Sequence, residues 1–174
     1  GIARFRAYGN VIPDWSRSGS EIELSGLKNG GRIVAYNDAH YGNVQAVLDS
    51  GRGINMGDGW ETRRRREPGF DWLLVALGAL GKANRIEVDT SFYKGNSPAK
   101  CSVQGQNIEW GTDQSLITQS MFWPELLTAK DLTPNTIHQF ELKDLEKIGP
   151  ISHVKLNIFP DGGISRFRVF GSKL

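Results

Sequence analysis

Short apolar runs separated by turn residues fill the chain, the pattern of a β-sandwich or barrel and not of a helical bundle. Strands are predicted over residues 32–37, 70–77, 85–90, 101–105, 136–142, 153–159 and 164–170. Period-two alternation puts Ile86, Val88 and Thr90 on one face of their strand, and Val154, Leu156 and Ile158 on one face of another. The stretch 70–77 is apolar nearly throughout, as expected of a central strand covered on both sides. Helical periodicity is weak, and only a turn or two over 43–48 and 143–148 fits it. Asn29-Gly30-Gly31 and Pro160-Asp161-Gly162-Gly163 carry turn chemistry. The second lies between the last two strands and reads as a hairpin, with glycine supplying the positive φ.

Glycine, at 21 of 174 residues, is over-used in the way a turn-rich all-β chain requires. The length suits one domain, able to bury roughly 70 % of the surface of its unfolded chain. An internal echo refines this. Residues 1–9 read Gly-Ile-Ala-Arg-Phe-Arg-Ala-Tyr-Gly and residues 163–171 read Gly-Ile-Ser-Arg-Phe-Arg-Val-Phe-Gly. Duplication explains the match and its spacing of about one domain. Residues 1–20 are therefore expected to be the end of a preceding repeat and its linker, and 21–174 the next repeat. The chain opens without an initiator Met or an apolar signal core, so its first residue is not expected to be where the gene begins.

Charge and cysteine content exclude more than they assign. Twenty-one Lys and Arg against nineteen Asp and Glu leave +2, so no global field draws the chain to nucleic acid or to a membrane surface. The longest apolar stretch, 72–77, is far shorter than the ~20 residues of a membrane span. Cys101 is the sole cysteine; it can form neither an internal disulfide nor a cysteine metal cluster, and is expected to be small and buried. His40, His138 and His153 are scattered without ligand spacing, so no metal site is assigned, although a divalent metal is not excluded.

The glycine-rich centre carries a resemblance. Met56-Gly57-Asp58-Gly59-Trp60-Glu61-Thr62-Arg63-Arg64-Arg65-Arg66 with Pro68-Gly69-Phe70-Asp71-Trp72 resembles the allantoicase (allantoate amidinohydrolase) family. So do Gly31-Arg32-Ile33-Val34-Ala35, Glu87-Val88-Asp89-Thr90-Ser91-Phe92-Tyr93-Lys94-Gly95-Asn96 and Val154-Lys155-Leu156-Asn157-Ile158-Phe159-Pro160-Asp161-Gly162-Gly163, in the same order and spacing. The resemblance implies a jelly-roll β-sandwich like galactose-binding domains, present as two similar repeats, and hydrolytic release of urea from allantoate to give ureidoglycolate in purine breakdown. It also implies a small-molecule partner and either a homo-oligomer or pairing with the other repeat. Two further readings stay open: a non-catalytic ligand-binding module of galactose-binding type, or a structural half that supports a site carried elsewhere.

Allantoate joins one carboxylate and two ureido groups on a single carbon. Guanidinium suits the carboxylate, because it donates two parallel hydrogen bonds. Expelling urea needs a proton donor, and adding water needs a base. Loops at one end of the sheets are expected to supply these groups. Asp58, Glu61 and Asp89 are the expected proton carriers. Arg63, Arg64, Arg65 or Arg66 is expected to hold the carboxylate, with at most two of the four facing one site in an extended segment. Lys94 with Asn96 is expected to bind a ureido group, and Asp38 and Asn157 to contact substrate. Each has a plainer reading: the arginine run as a solvated face paired with Glu61, Glu67 or Asp71, Asp58 and Asp161 as turn formers, Asp89 as a loop cap, and Trp60 and Trp72 as anchors. Ser172-Lys173-Leu174 reads as a peroxisomal address if it is the natural end, with the cytoplasm as the alternative.

Overall fold

The computed structural model describes residues 1–17 and 19–174; Ser18, within the expected linker, lies outside the described residues. Its strands are β1 (Ile22–Glu23), β2 (Arg32–Tyr36), β3 (Tyr41–Gly42), β4 (Trp60–Glu61), β5 (Asp71–Asp89), β6 (Lys100–Gln106), β7 (Glu125–Asp131), β8 (Ile137–Glu141), β9 (Ile151–Phe159), β10 (Gly163–Ile164) and β11 (Arg166–Lys173), with one α-helix among the described residues, α1 (Asp113–Gln119).

β5 organises the rest. Its first part, from Asp71 to Ala76, pairs antiparallel with β2 and β9; its second, from Gly81 to Asp89, pairs antiparallel with β11 and β8. Two layers result, β2–β5–β9–β6–β7 and β1–β11–β5–β8. Between them lie Leu73, Val75, Val154, Leu156 and Ile158 from the first layer and Ile86, Val88, Phe167 and Val169 from the second. Burying such a side chain stabilises by about 1.5–3 kcal/mol, more than the ~1 kcal/mol net of a ladder hydrogen bond, so alternation decides which face turns inward. The jelly-roll sandwich and the inward triad on β9 are as expected. So is the double cover of the first part of β5: Leu74 packs outward under α1, against Leu116 and Trp123.

Three expectations are corrected. The stretches 70–77 and 85–90 form one continuous strand. It crosses between layers at Gly78–Gly81, where the Gly78 N–H donates to the Leu24 carbonyl at 2.8 Å and a Cβ would lie 1.8 Å from the Asn29 carbonyl. Only a side chain of hydrogen allows that approach. The turn at 160–163 is no hairpin, because β9 and β11 belong to different layers; it carries the chain across, and β10 pairs with β4 instead. β7 and α1 were not expected at all. α1 is too short to show periodicity, and a Thr112–Ser115 capping box starts it. Residues 1–12 are exposed and join neither sheet.

This topology brings the chemistry to one rim. Asp71 pairs with Ile158 and Asp89 with Arg166, so both ends of β5 return to the short crossing between β9 and β11.

Candidate functional site

The rim is tied together by the 160–163 crossing. The Thr62 N–H donates to the Gly162 carbonyl at 3.1 Å, and the Gly162 N–H returns a bond to Thr62 Oγ1 at 3.0 Å. Asp161 Oδ2 accepts the Arg65 N–H at 2.9 Å, and the Gly163 N–H donates to the Asn96 carbonyl at 2.8 Å. Asp161 is therefore more than a turn former, since it fixes the middle of the arginine run.

Arg63, Arg64, Arg65 and Arg66 line a cavity of about 620 Å³ with Asn37, Asp38, Glu67 and Asp71, so all four border one hollow and not at most two, because the run after β4 is no strand and strict alternation does not govern it. The four guanidiniums fall into two classes. Arg63 donates from Nε and Nη2 to Asp38 Oδ1 at 3.1 and 2.9 Å, and its backbone N–H donates to Asp38 Oδ2 at 2.6 Å. Arg65 donates from Nε and Nη2 to Asp71 Oδ1 at 3.2 and 3.0 Å. Arg64 and Arg66 are exposed and make no hydrogen bond or ion pair with the described residues, and neither does Glu67. Solvation and pairing with acids, the plainer readings of this run, thus apply to different members of it.

Asp38 and Asp71 serve as anchors. Desolvation raises the Asp38 pKa, but the amide and guanidinium of Arg63 outweigh it and hold the carboxyl below its ordinary range. The indole Nε1 of fully buried Trp60 donates to the Asp38 carbonyl at 2.7 Å, the anchoring role expected of it. Asp71 is buried and also accepts from Asn37 Nδ2 at 2.9 Å, while Asn37 Oδ1 accepts the Trp72 N–H at 2.8 Å. Asp38 lines the cavity with both carboxylate oxygens engaged by Arg63.

The other expected residues stand outside this cavity. Asp58 Oδ2 accepts from Arg166 Nη2 at 2.8 Å and from the Ile54 N–H at 3.1 Å, so it is spent on a buried cation and a turn. Asp89 is fully buried; it accepts the Ser91 N–H at 2.7 Å and Arg52 Nη1 at 3.4 Å, which makes it a loop cap. Asn157 is buried on the outer face of its sheet, donating to Ser102 Oγ at 3.2 Å and Gln104 Oε1 at 3.1 Å, away from the arginine cavity. Lys94 and Asn96 line a second hollow of about 490 Å³ with Asn55, Met56, Phe92 and Gly95. Asn96 Nδ2 donates to Glu61 Oε1 at 2.5 Å. The Trp60 segment and the Lys94 loop do meet, through the Glu61–Asn96 bond, but they line two separate hollows.

Asn37, Glu67 and Asp71 complete the arginine cavity without having been expected to. Glu67 and Asp71 flank the run in sequence, a signal that suggested only charge balance. Among the described residues no group of three or more His, Cys, Asp or Glu side chains stands in a metal-binding arrangement, and no helix is long and apolar enough to cross a membrane.

The family model described as the allantoicase repeat matches residues 22–174. Probable allantoicase 2 of Burkholderia pseudomallei is 51 % identical over 173 residues, covering 98 % of this chain and 51 % of that protein. The crystal structure of allantoicase from Saccharomyces cerevisiae superposes with a TM-score of 0.81 at 38 % identity, over 98 % of this chain and 48 % of that one. A family 32 carbohydrate-binding module from C. perfringens, solved with galactose, shares the fold alone, with a TM-score of 0.59 at 12 % identity over 86 % of this chain and 98 % of its own. The chain spans about half the length of the relatives it matches. A family model matching nearly all of the described sheets, with relatives at half identity, establishes that the chain belongs to the allantoicase family.

Proposed function

We propose that this chain takes part in the hydrolysis of allantoate to urea and ureidoglycolate, with the arginine cavity as the substrate site. One observation carries the reading: Arg63 and Arg65 are held by Asp38 and Asp71, while Arg64, Arg66 and Glu67 are left without partners beside them. Arg64 or Arg66 gives the carboxylate two parallel N–H bonds, and the other guanidinium donates to a ureido oxygen. Asp38 and Asp71 are locked into ion pairs, so Glu67 is the free base of the cavity. It takes a proton from water as the water oxygen bonds to the central carbon and the C–N bond to one ureido group breaks. The same proton then goes to the departing nitrogen, leaving urea and ureidoglycolate.

A coupled assay for urea tests this. Losing a general base costs about 10²–10⁴ in rate, so Glu67→Gln should lower kcat at least ~100-fold with an unchanged melting temperature. Full turnover in that variant overturns the role. Repeating the assay after dialysis against a chelator decides whether a divalent metal is required.

The half-length match supports a second reading, in which this repeat sustains a site completed by the other repeat or by another subunit. On that reading residues 1–20 end the preceding repeat. Urea release by this chain, measured beside a chain containing both repeats, separates the two. We infer the cytoplasm as the place of action, because the sequence relatives of about half identity reported above come from bacteria.

A further inference from the structure

We infer that the arginine cavity is a two-armed receptor for small dicarboxylates. The inference rests on reading this cavity as the ligand site and adds a second ligand class to it. Allantoate carries one carboxylate, and the cavity offers two guanidiniums, Arg64 and Arg66, that no carboxylate of the described residues pairs. Its three acids leave the four arginines one positive charge in excess, and two of those acids are consumed in holding Arg63 and Arg65.

The spacing of the free pair is fixed by the backbone. The Arg63 N–H is held by Asp38 Oδ2 at 2.6 Å and the Arg65 N–H by Asp161 Oδ2 at 2.9 Å, so alternate amides of the run are pinned to different parts of the rim. Arg64 and Arg66 sit two residues apart on this pinned segment, so at most about 7 Å of backbone separates their Cα atoms. A short dicarboxylate bridges two such arms, each able to donate in the bidentate fashion that suits a carboxylate. Because the segment is already ordered, little of the gain is lost to fixing it on binding. The cavity, at about 620 Å³, lies within the usual range for small-ligand sites.

Isothermal titration calorimetry at constant ionic strength, with succinate and propionate as probes, tests the inference. Succinate should bind at least about tenfold tighter than propionate, since a second charge-assisted contact is gained. Arg64→Gln and Arg66→Gln should each reduce succinate to the propionate level while melting as the wild type does. Arg4→Gln, on the exposed segment outside the sheets, should change nothing. Equal affinity for the two probes, or an equal loss in Arg4→Gln, overturns the inference. Saturating allantoate separates it from the substrate reading. If succinate keeps its advantage and allantoate fails to displace it, the receptor stands and allantoate hydrolysis in this cavity falls. If allantoate displaces propionate while succinate shows no advantage, the inference falls and the substrate reading stands.

Discussion

Replacing Asp58 with alanine should weaken the fold and leave the chemistry alone. Arg166 is only 2 % exposed. Its Nη2 donates to Asp58 Oδ2 at 2.8 Å, its Nη1 to the carbonyls of Asp58 and Ser165 at 2.8 and 2.7 Å, and its Nε to the Gly51 carbonyl at 3.3 Å. Alanine removes the single carboxylate it binds among the described residues. Breaking a buried ion pair from one side costs about 3–5 kcal/mol. Here the carbonyl bonds survive and the Asp58 side chain is 23 % exposed, which brings the expected cost to about 2–3 kcal/mol. At ~2–4 °C per kcal/mol for a chain of this size, the melting temperature should fall by about 4–12 °C. Asparagine keeps an acceptor for both Arg166 and the Ile54 N–H and should lose about half as much. Thermal unfolding followed by circular dichroism reads the loss, and urea release well below the transition reads the chemistry. An Asp58→Ala melting temperature within 1 °C of the wild type would refute the structural role. An Asp58→Asn variant that melts normally but releases no urea would return Asp58 to catalysis.

Three more outcomes follow from the same structure. Lys155 is buried and lies 5.2 Å from the centre of the Trp72 ring with no carboxylate partner among the described residues, and desolvation lowers its pKa below 10.5. The unfolded chain then holds that proton more tightly, so the penalty is complete below the folded value and fades as pH rises towards 10.5. Lys155→Met should accordingly raise stability at pH 7 and flatten its rise towards pH 10 in urea titrations; a loss at pH 7 contradicts this. Burial pushes the Cys101 thiol up to about 12, so a thiol-specific disulfide reagent at pH 8 should label it only after unfolding, and rapid labelling of the native chain counts against that burial. Glu61→Gln keeps the acceptor for Asn96 Nδ2, so kcat should stay within about threefold of the wild type, in contrast to Glu67→Gln; equal losses in the two would make Glu61 a proton carrier as well.

What the sequence made legible was local. Alternation on β9 and the apolar run that opens β5 are carried by side chains within a few residues of each other, and the strands form where those patterns lie. The site residues were harder because their partners are distant. Asp58 between two glycines looks the same whether it turns a loop or awaits a substrate, and Arg166, 108 residues later, decides the matter. Asp89 ends its strand with Oδ1 taken by the Ser91 N–H and Oδ2 by Arg52, and only the first of these donors is near in sequence. The arginine run could be seen at once. Arg65 pairs with Asp71, six residues on and among the acids the sequence offered, but Arg63 pairs with Asp38, 25 residues back through loops whose course no periodicity records.

The division of the rim into two hollows has one structural source. Had β5 stopped at Leu77, Asp71 and Asp89 would have belonged to different strands, with nothing to require that the loops before and after them meet. Continuous passage through Gly78–Gly81 returns the strand, so the arginine run ahead of it and the Lys94 loop behind it converge on the crossing at 160–163. There Thr62 and Gly162 exchange bonds, Asp161 takes the Arg65 amide, and the Gly163 amide reaches the Asn96 carbonyl. A Cβ on Gly163 would lie 1.9 Å from the ring of fully buried Tyr93, which cannot retreat. Asp161, Gly162 and Gly163 of one short crossing therefore hold both the arginine run and the Lys94 loop, and a change in that turn must reach the free arginines and the Glu61–Asn96 bond together.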